Sequence, residues 1–195
     1  MTTLADIQQA LAGYETASLA GDHLTQAAVA LVLREDKAGL QVLFIERASH
    51  QSDPWSGDLG FPGGKVEATD GSPRLTAERE TREEIGLDLR TARLLGRLSD
   101  VVGAHLPVRV SCFVYALGAV APLRLNHEIR DAFWVVLEEL ANQERHSSDM
   151  VNFRDESFLR PAIRLPIADK PVLWGLTYRL VMEFIEIIGL GGCRT

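Results

Sequence analysis

The segment from Ser72 to Gly86 constrains the fold more than any other part of this chain. Pro73 favours the first position of a helix, and the side chain of Ser72 can cap the free backbone N–H groups of the first helical turn. Gly86 favours the turn that ends a helix. The residues between these signals are mostly strong helix formers. The segment is therefore predicted to be a helix that begins at Pro73 and ends at Gly86.

Three glutamates gather near the end of this predicted helix. Glu80, Glu83 and Glu84 are spaced i, i+3 and i+4, which places their carboxylates on one face. Each like-charge pair costs about a few tenths of a kcal/mol, and the helix dipole also disfavours anions at this end. Bound Mg²⁺ would compensate, because hard divalent cations prefer carboxylate oxygens. A solvated face, partly neutralised by Arg79 and Arg82, is the alternative.

A glycine-rich turn precedes the helix. Its sequence is Gly60-Phe61-Pro62-Gly63-Gly64-Lys65, and consecutive glycines allow a backbone to approach a phosphate or to offer a carbonyl to a metal. The turn is not a Walker A loop, because Val66 stands where Ser or Thr must follow the lysine and Leu59 stands at an earlier glycine position. A kinase or NTPase of that class is therefore not expected.

The remaining chain mixes strands and helices without regular βαβ alternation, which favours an α+β sandwich over a doubly wound parallel sheet. Its length of 195 residues favours a single domain. Apolar residues at helical spacing after Thr3 predict a short N-terminal helix. Further segments are predicted as a hairpin of two strands (27–33 and 40–45), three more strands (92–98, 108–117 and 132–136), a short helix (137–142), an irregular stretch with strand pieces (147–164) and a terminal helix (172–188).

Composition excludes several classes of protein. The net charge of −7 argues against a nucleic-acid-binding surface, which needs clustered Lys and Arg. Cys112 and Cys193 lack the spacing of a zinc site or a disulfide framework. Charged residues interrupt the apolar stretch from Val172 to Leu190, so neither a membrane span nor a membrane partner is expected. The first residues lack the basic and apolar regions of a secretory signal, so a cytoplasmic protein is expected, with a homodimer as one option.

The glycine turn and the helix together resemble the Nudix hydrolase family. The family box is Gly, five residues, Glu, seven residues, then Arg-Glu-apolar-any-Glu-Glu-any-Gly-apolar. Here Gly64 is followed after five residues by Asp70, and after eight more by Arg79-Glu80-Thr81-Arg82-Glu83-Glu84-Ile85-Gly86-Leu87. The departures are Asp70 in place of Glu, one extra residue, and Thr81 at the aliphatic position. The first two, with Phe61-Pro62-Gly63-Gly64 before the box, are similar to the coenzyme A diphosphatase branch.

Two further segments resemble that branch. Leu43-Phe44-Ile45-Glu46-Arg47-Ala48, followed by Gly57 and the Phe-Pro-Gly-Gly turn, is similar to its extra signature, and Leu173-Trp174-Gly175-Leu176-Thr177 is similar to the start of its C-terminal helix. The arginine within that signature is missing, with Ser52 or Asp53 in its place, and the spacing to Gly57 is one residue longer. The resemblance implies a Nudix-type α/β/α sandwich with a central mixed sheet, a catalytic loop-helix and terminal helices. Residues 1–25 would form an N-terminal helical extension and residues 26–195 the Nudix hydrolase domain.

The resemblance also implies a metal centre. Glu80, Glu83, Glu84 and the carbonyl of Gly64 would hold Mg²⁺ or Mn²⁺, which polarises a diphosphate and activates the attacking water. Arg79 would orient Glu80 or pair with Asp70. Alternatively, Arg79 is a plain i, i+4 partner of Glu83.

Other residues are predicted to border the substrate. Glu128 would supply a further carboxylate or a general base, with a glutamate on a surface loop as the alternative. Stacking on a nucleobase is one reading of the three tryptophans, although large aromatic side chains mostly fill cores. The three tryptophans are Trp55, Trp134 and Trp174. The residues predicted to contact substrate are Arg47, Gly63, Lys65 and His105. For the ionisable side chains among them, a solvated position on the surface is the alternative.

The expected activity is the hydrolysis of coenzyme A or its derivatives to adenosine 3′,5′-bisphosphate and a 4′-phosphopantetheine product. A second hypothesis is the hydrolysis of another small nucleoside diphosphate derivative, such as ADP-ribose or NADH. A third is a non-catalytic Nudix fold that binds or regulates. The three glutamates argue against the third, because a binding module has no need to keep repelling carboxylates together.

Overall fold

The computed structural model describes residues 2–19, 23–49, 55–104, 106–118, 122–153 and 156–191. Within these residues the helices are α1 (Leu4–Ala12), α2 (Pro73–Ile85), α3 (Leu137–Ala141) and α4 (Gly175–Ile187). The strands are β1 (Thr25–Asp36), β2 (Gly39–Arg47), β3 (Leu59–Gly60), β4 (Gly63–Lys65), β5 (Arg93–Arg97), β6 (Val101–Val102), β7 (Val108–Leu117), β8 (Ile129–Val136), β9 (His146–Phe153), β10 (Glu156–Ile163) and β11 (Leu173–Trp174).

Strands β1 to β8 form a mixed sheet whose middle is the long pair β1 and β7. These two strands run parallel, from Thr25 opposite Val108 to Arg34 opposite Leu117. The main path is β3-β2-β1-β7-β5; in addition β8 pairs with β2, β4 with β1, and β6 with β7. The neighbours of the parallel pair are antiparallel. Strand β1 is buried on both faces from Ala30 to Leu33, as expected for a strand in the middle of a covered sheet.

Helices cover both faces of this sheet. On one face, buried residues of α1 and α4, such as Ile7 and Phe184, pack with Leu31 of β1. On the other face, Ala77 of α2 packs with Ala28 of β1, so alternate residues of one strand serve two separate cores. The predicted α/β/α sandwich with a central mixed sheet is confirmed.

Helix α1 is part of the core rather than a loose addition to it. Thr3 caps it reciprocally with Asp6, as in a capping box. The helix lies so close to β5 that a Cβ atom on Gly96 would be 2.9 Å from the Cβ of Leu11. The predicted N-terminal helix is therefore confirmed, whereas the assignment of residues 1–25 to an extension outside the Nudix domain stays a prediction.

The predicted boundaries of α2 are confirmed in detail. The backbone N–H of Leu75 donates to Ser72 Oγ over 3.3 Å, and Gly86 ends the helix at a φ of +71°, in the left-handed region. Both strands of the predicted hairpin are longer than predicted, since they span Thr25–Asp36 and Gly39–Arg47. Near the turn, Arg34 and Glu35 continue the pairing with Gln41 and Leu40. Only two residues, 37 and 38, are left in the turn.

The prediction of strand pieces within 147–164 is confirmed, whereas the prediction that the stretch is otherwise irregular was wrong. Strands β9 and β10 form an antiparallel hairpin there, and β11 extends it to a second sheet of three strands. Val151 and Phe153 alternate with the exposed Met150 and Asn152, which is the period of a strand with one buried face. The polar residues at the start of β9 hide this alternation in the sequence. Among the described residues, no helix combines the length and apolar character needed to cross a bilayer.

Candidate functional site

Strand β4 brings the glycine turn to the edge of the main sheet. Gly63 pairs with Val29 and Gly64 with Ala28 on β1. Gly63 has a φ of +152°, and a Cβ atom there would lie 2.2 Å from the carbonyl oxygen of Ala28. Only glycine fits this position, because both the backbone angle and the close approach of β1 exclude a side chain.

Glu80 lies directly against the next glycine. A Cβ atom on Gly64 would be 2.4 Å from Glu80 Oε1 and 2.5 Å from its Cδ. The carboxylate therefore occupies the space that any other residue at position 64 would fill. Burial is the main cause that raises the pKa of Glu80, and the guanidinium of Arg79 acts in the opposite sense.

Glu84 is the most deeply buried of the three glutamates, with 2% of its surface exposed. Its Oε2 accepts a hydrogen bond of 2.9 Å from the backbone N–H of Gly63, and its Oε1 lies 3.4 Å from Arg47 Nη1. Burial raises the pKa of Glu84 to about 7 in spite of these two contacts, and the charges of Glu80 and Glu128 add to the rise. A buried carboxylate with a raised pKa is a frequent mark of a functional site.

Arg79 links the box residues in one fork of hydrogen bonds. Its Nε and Nη2 donate to the two oxygens of Asp70 over 2.7 and 3.0 Å. Its Nη1 donates to Glu80 Oε1 and to Glu83 Oε2, each over 3.0 Å. The hydrogen bonds of Arg79 are the main cause that lowers the pKa of Asp70, which also accepts from Thr76 Oγ1 over 2.8 Å. The contacts that the sequence offered as alternatives for Arg79 therefore exist together.

The three glutamates and the glycine turn suit a hard divalent cation. Carboxylate oxygens and a backbone carbonyl are ligands that Mg²⁺ and Mn²⁺ accept, and Gly64 keeps the space beside Glu80 clear of any side chain. In the described part of the chain, no three Asp, Glu, His or Cys side chains are gathered closely enough to form such a ligand set in this arrangement. Arg79 Nη1 donates instead to one oxygen each of Glu80 and Glu83.

A cavity of about 1040 Å³ extends from these carboxylates between the main sheet and the second sheet. Ala27, Val29 and Val110 form an apolar floor on β1 and β7. Trp174 stands in the wall, where its Nε1 donates to Asp58 Oδ1 over 2.9 Å. Cavities of this size, apolar with a few converging polar groups, are typical of small-molecule sites.

The structure brings most of the predicted substrate contacts to this cavity. Arg47, Gly63, Lys65 and Glu128 all line it. The N–H of Gly63 is already bound by Glu84, and the carbonyl of Lys65 accepts from Arg79 Nη2 over 3.3 Å. His105 lies outside the described residues.

The tryptophans divide between the cavity and the core. Trp55 and Trp174 line the cavity, whereas Trp134 packs on the α2 side of the sheet with the guanidinium carbon of Arg34 4.2 Å from its ring centre. The wall residues that sequence reasoning missed include Phe153, Arg160 and Arg179. The alternation of buried residues in β9 could have pointed to Phe153, whereas only the folded arrangement of α4 reveals Arg179.

A sequence profile of the NUDIX domain matches residues 23–156, which is more than half of the chain. The chain belongs to the Nudix family. The matched segment contains β1 to β9 and ends at the first residue of β10. Helix α4 and the cavity residues of β10, β11 and α4 therefore lie beyond it.

Named relatives and solved structures agree with the Nudix assignment. Nudix hydrolase 15, mitochondrial, of Arabidopsis thaliana is 32% identical over 167 residues, which are 83% of this chain and 58% of that protein. The chain spans little more than half the length of the plant relatives it matches, one mitochondrial and one chloroplastic by name, and its own cytoplasmic location stays a prediction. A MutT/nudix family protein from Enterococcus faecalis shares the fold with a TM-score of 0.57 at 17% identity, covering 96% of this chain and 70% of that one.

Proposed function

We propose that this Nudix protein hydrolyses the diphosphate bond of a small nucleoside diphosphate derivative, with coenzyme A and its derivatives as the preferred substrates. The observation that carries the proposal is the position of Glu80 and Glu84, whose carboxylates lie against the Gly63-Gly64 turn at the wall of a large cavity. The products from coenzyme A would be adenosine 3′,5′-bisphosphate and 4′-phosphopantetheine.

The box residues would hold one or more Mg²⁺ or Mn²⁺ ions. The ligands would be Glu80, Glu83, Glu84 and the carbonyl of Gly64. Such an ion screens the charge of the diphosphate and lowers the pKa of a bound water. The double contact of Arg79 with Asp70 would keep the arginine beside Glu80 and Glu83 and so fix their orientation.

The reaction itself is a displacement at phosphorus by water. The oxygen of water forms a bond to phosphorus, the bridging P–O bond breaks, and two phosphorylated products leave. Glu128, which lines the same cavity as Glu80 and Glu84, would accept the proton of the water. Arg47 and Lys65, which also line the cavity, would contact the phosphate oxygens.

The coenzyme A preference is supported by the sequence signature and by the volume of the cavity, about 1040 Å³. The Leu173–Thr177 segment of that signature starts helix α4 and supplies Trp174 and Thr177 to the cavity wall. A cavity of this volume with an apolar floor has room for a substrate that carries a long arm beyond its diphosphate.

A substrate panel tests this proposal. Purified protein with Mg²⁺ is incubated with coenzyme A, ADP-ribose, NADH, diadenosine polyphosphates and NTPs, and the products are separated by chromatography. Coenzyme A is expected to be cleaved with the highest kcat/KM. If it stays intact while ADP-ribose or NADH is cleaved, the substrate assignment fails and the hydrolase assignment survives.

A charge-removing variant tests the site. Glu83→Gln should abolish turnover, whereas Glu138→Gln on the exposed surface of α3 should not. Unchanged turnover in Glu83→Gln would contradict the assignment of the box glutamates. If the wild-type protein cleaves no member of the panel but binds one, a binding module is the better description.

A further inference from the structure

The far end of the cavity carries a positive charge that the box does not use. Arg179, on α4, lines the cavity, and its Nη1 donates to the carbonyl oxygen of Val102 over 2.7 Å. In the described part of the chain it forms no ion pair. Arg47 and Arg79, at the opposite end, both contact glutamates. Arg179 is therefore held in place by a neutral carbonyl while its charge remains unneutralised.

The register of the main sheet gives the distance between the two ends. Lys65 of β4, Ala27 of β1, Val110 of β7 and Val101 of β6 are successive cross-strand partners. Three strand spacings of about 4.8 Å separate β4 from β6, about 14 Å in all. Val102, which anchors Arg179, follows Val101 directly, so the guanidinium lies across the apolar floor from the glycine turn.

We propose that Arg179 binds an anionic group at the end of an apolar arm, and that the arm extends along the cavity floor from the diphosphate that is cleaved. This inference rests on the proposed function and names a class of substrate within it. Nε and Nη2 of Arg179 can together bind one carboxylate or phosphate group, since a guanidinium presents its donors as a planar fork. Arg179 lies beyond the segment matched by the family profile, where features that distinguish one Nudix protein from another are expected.

The probes are adenosine diphosphate esters of linear alkyl chains, prepared in several lengths and in two forms. One form ends in a carboxylate and the other in a methyl group. The wild-type protein should prefer the carboxylate form by about five- to tenfold in kcat/KM, because Arg179 is solvent-exposed and water screens the interaction. The preference should peak at chain lengths that span the floor, appear mainly in KM, and weaken as salt is added.

Two variants decide the role of Arg179. Arg179→Gln keeps a donor for Val102 but removes the charge, so the ratio of the two kcat/KM values should fall to about one. Arg179→Lys keeps the charge and should retain part of the preference. Arg93→Met removes an exposed charge from β5, outside the cavity, and should leave the ratio unchanged. Thermal denaturation of each variant checks that α4 stays folded.

The possible failures can be told apart. If both ester forms are cleaved but the wild-type protein shows no preference, or if a folded Arg179→Gln keeps the preference, this inference is wrong and the hydrolase function stands. If neither the esters nor any member of the substrate panel is cleaved with Mg²⁺, the proposed function itself fails.

Discussion

Alanine substitutions at the adjacent residues Gly64 and Gly63 should have different effects, the first on metal binding and activity and the second on stability. Replacing Gly64 by Ala would place a methyl group 2.4 Å from Glu80 Oε1, and no positive φ at Gly64 adds backbone strain. The flexible end of Glu80 can retreat by about 1 Å to reach ordinary contact distance. The free energy of unfolding should therefore change by no more than about 1 kcal/mol. Because Glu80 is a proposed metal ligand, its displacement should weaken Mn²⁺ binding at least about tenfold and lower kcat/KM about 100-fold.

Replacing Gly63 by Ala should instead lower the stability of the protein. A Cβ atom on Gly63 would lie 2.2 Å from the carbonyl oxygen of Ala28 and 2.6 Å from Val29 Cα, and these backbone atoms cannot move without breaking the pairing of β4 with β1. Clash and backbone strain together should cost about 3 kcal/mol or more, which lowers Tm by at least about 6 °C in a protein of this size.

The assay compares Gly64→Ala and Gly63→Ala with Gly118→Ala, a change in open space at the end of β7. Thermal denaturation is followed by circular dichroism in EDTA, and Mn²⁺ binding is measured by calorimetry. The reasoning is refuted if Gly64→Ala loses as much stability as Gly63→Ala. It is also refuted if Gly64→Ala keeps the wild-type affinity for Mn²⁺ and the wild-type activity.

Three further substitutions test the electrostatics and the wall of the cavity. Asp70→Asn should lower the free energy of unfolding by about 2 kcal/mol at pH 7, because it leaves the partly buried Arg79 without its main partner. Since folding lowers the pKa of Asp70, its contribution begins to fall as pH drops below about 4 and is lost gradually at lower pH, so urea denaturation at pH 3.5 should show a smaller difference than at pH 7. Glu84→Gln should stabilise the metal-free protein by about 2 kcal/mol more at pH 8 than at pH 5. Folding raises the pKa of Glu84 to about 7, so its charged form lowers the free energy of unfolding at any pH above the unfolded pKa near 4.3. A stability difference that does not change with pH would contradict this. Trp174→Phe removes the hydrogen bond to the cavity wall and should raise KM severalfold in steady-state kinetics, whereas Trp134→Phe, on the other face of the sheet, should not.

Sequence alone predicted the elements whose signals are local. Helix α2 carries its own start and stop residues, and strand β7 is rich in valine and ends in the apolar run from Cys112 to Leu117, so both were located to within a residue. The candidate site residues on α2 and on the glycine turn could be named for the same reason, since their spacing is fixed within one short segment, and their roles stay predictions. The hairpin of β9 and β10 was missed because Asp149 and the serines beside it have no apolar alternation of their own.

The far wall of the cavity could not be predicted, because it depends on pairings that are distant in the chain. Trp174 reaches the wall through its hydrogen bond with Asp58, more than a hundred residues earlier. Arg179 is positioned by its hydrogen bond to the carbonyl of Val102, which lies three strands from the glycine turn in the main sheet. Neither contact has a spacing rule, so only the tertiary structure shows that these side chains share a cavity with the glutamates.

Arg79 explains how a helix end with three carboxylates can fold before a metal binds. Its Nη1 holds one oxygen each of Glu80 and Glu83, which offsets the repulsion that the sequence implies. Its Nε and Nη2 are held separately by Asp70. A divalent cation would therefore compete only with Nη1 for the two glutamate oxygens, and the guanidinium can stay on Asp70 throughout. The two hydrogen bonds to Asp70 therefore keep the charged side chain of Arg79 beside the carboxylates while only its Nη1 contacts Glu80 and Glu83.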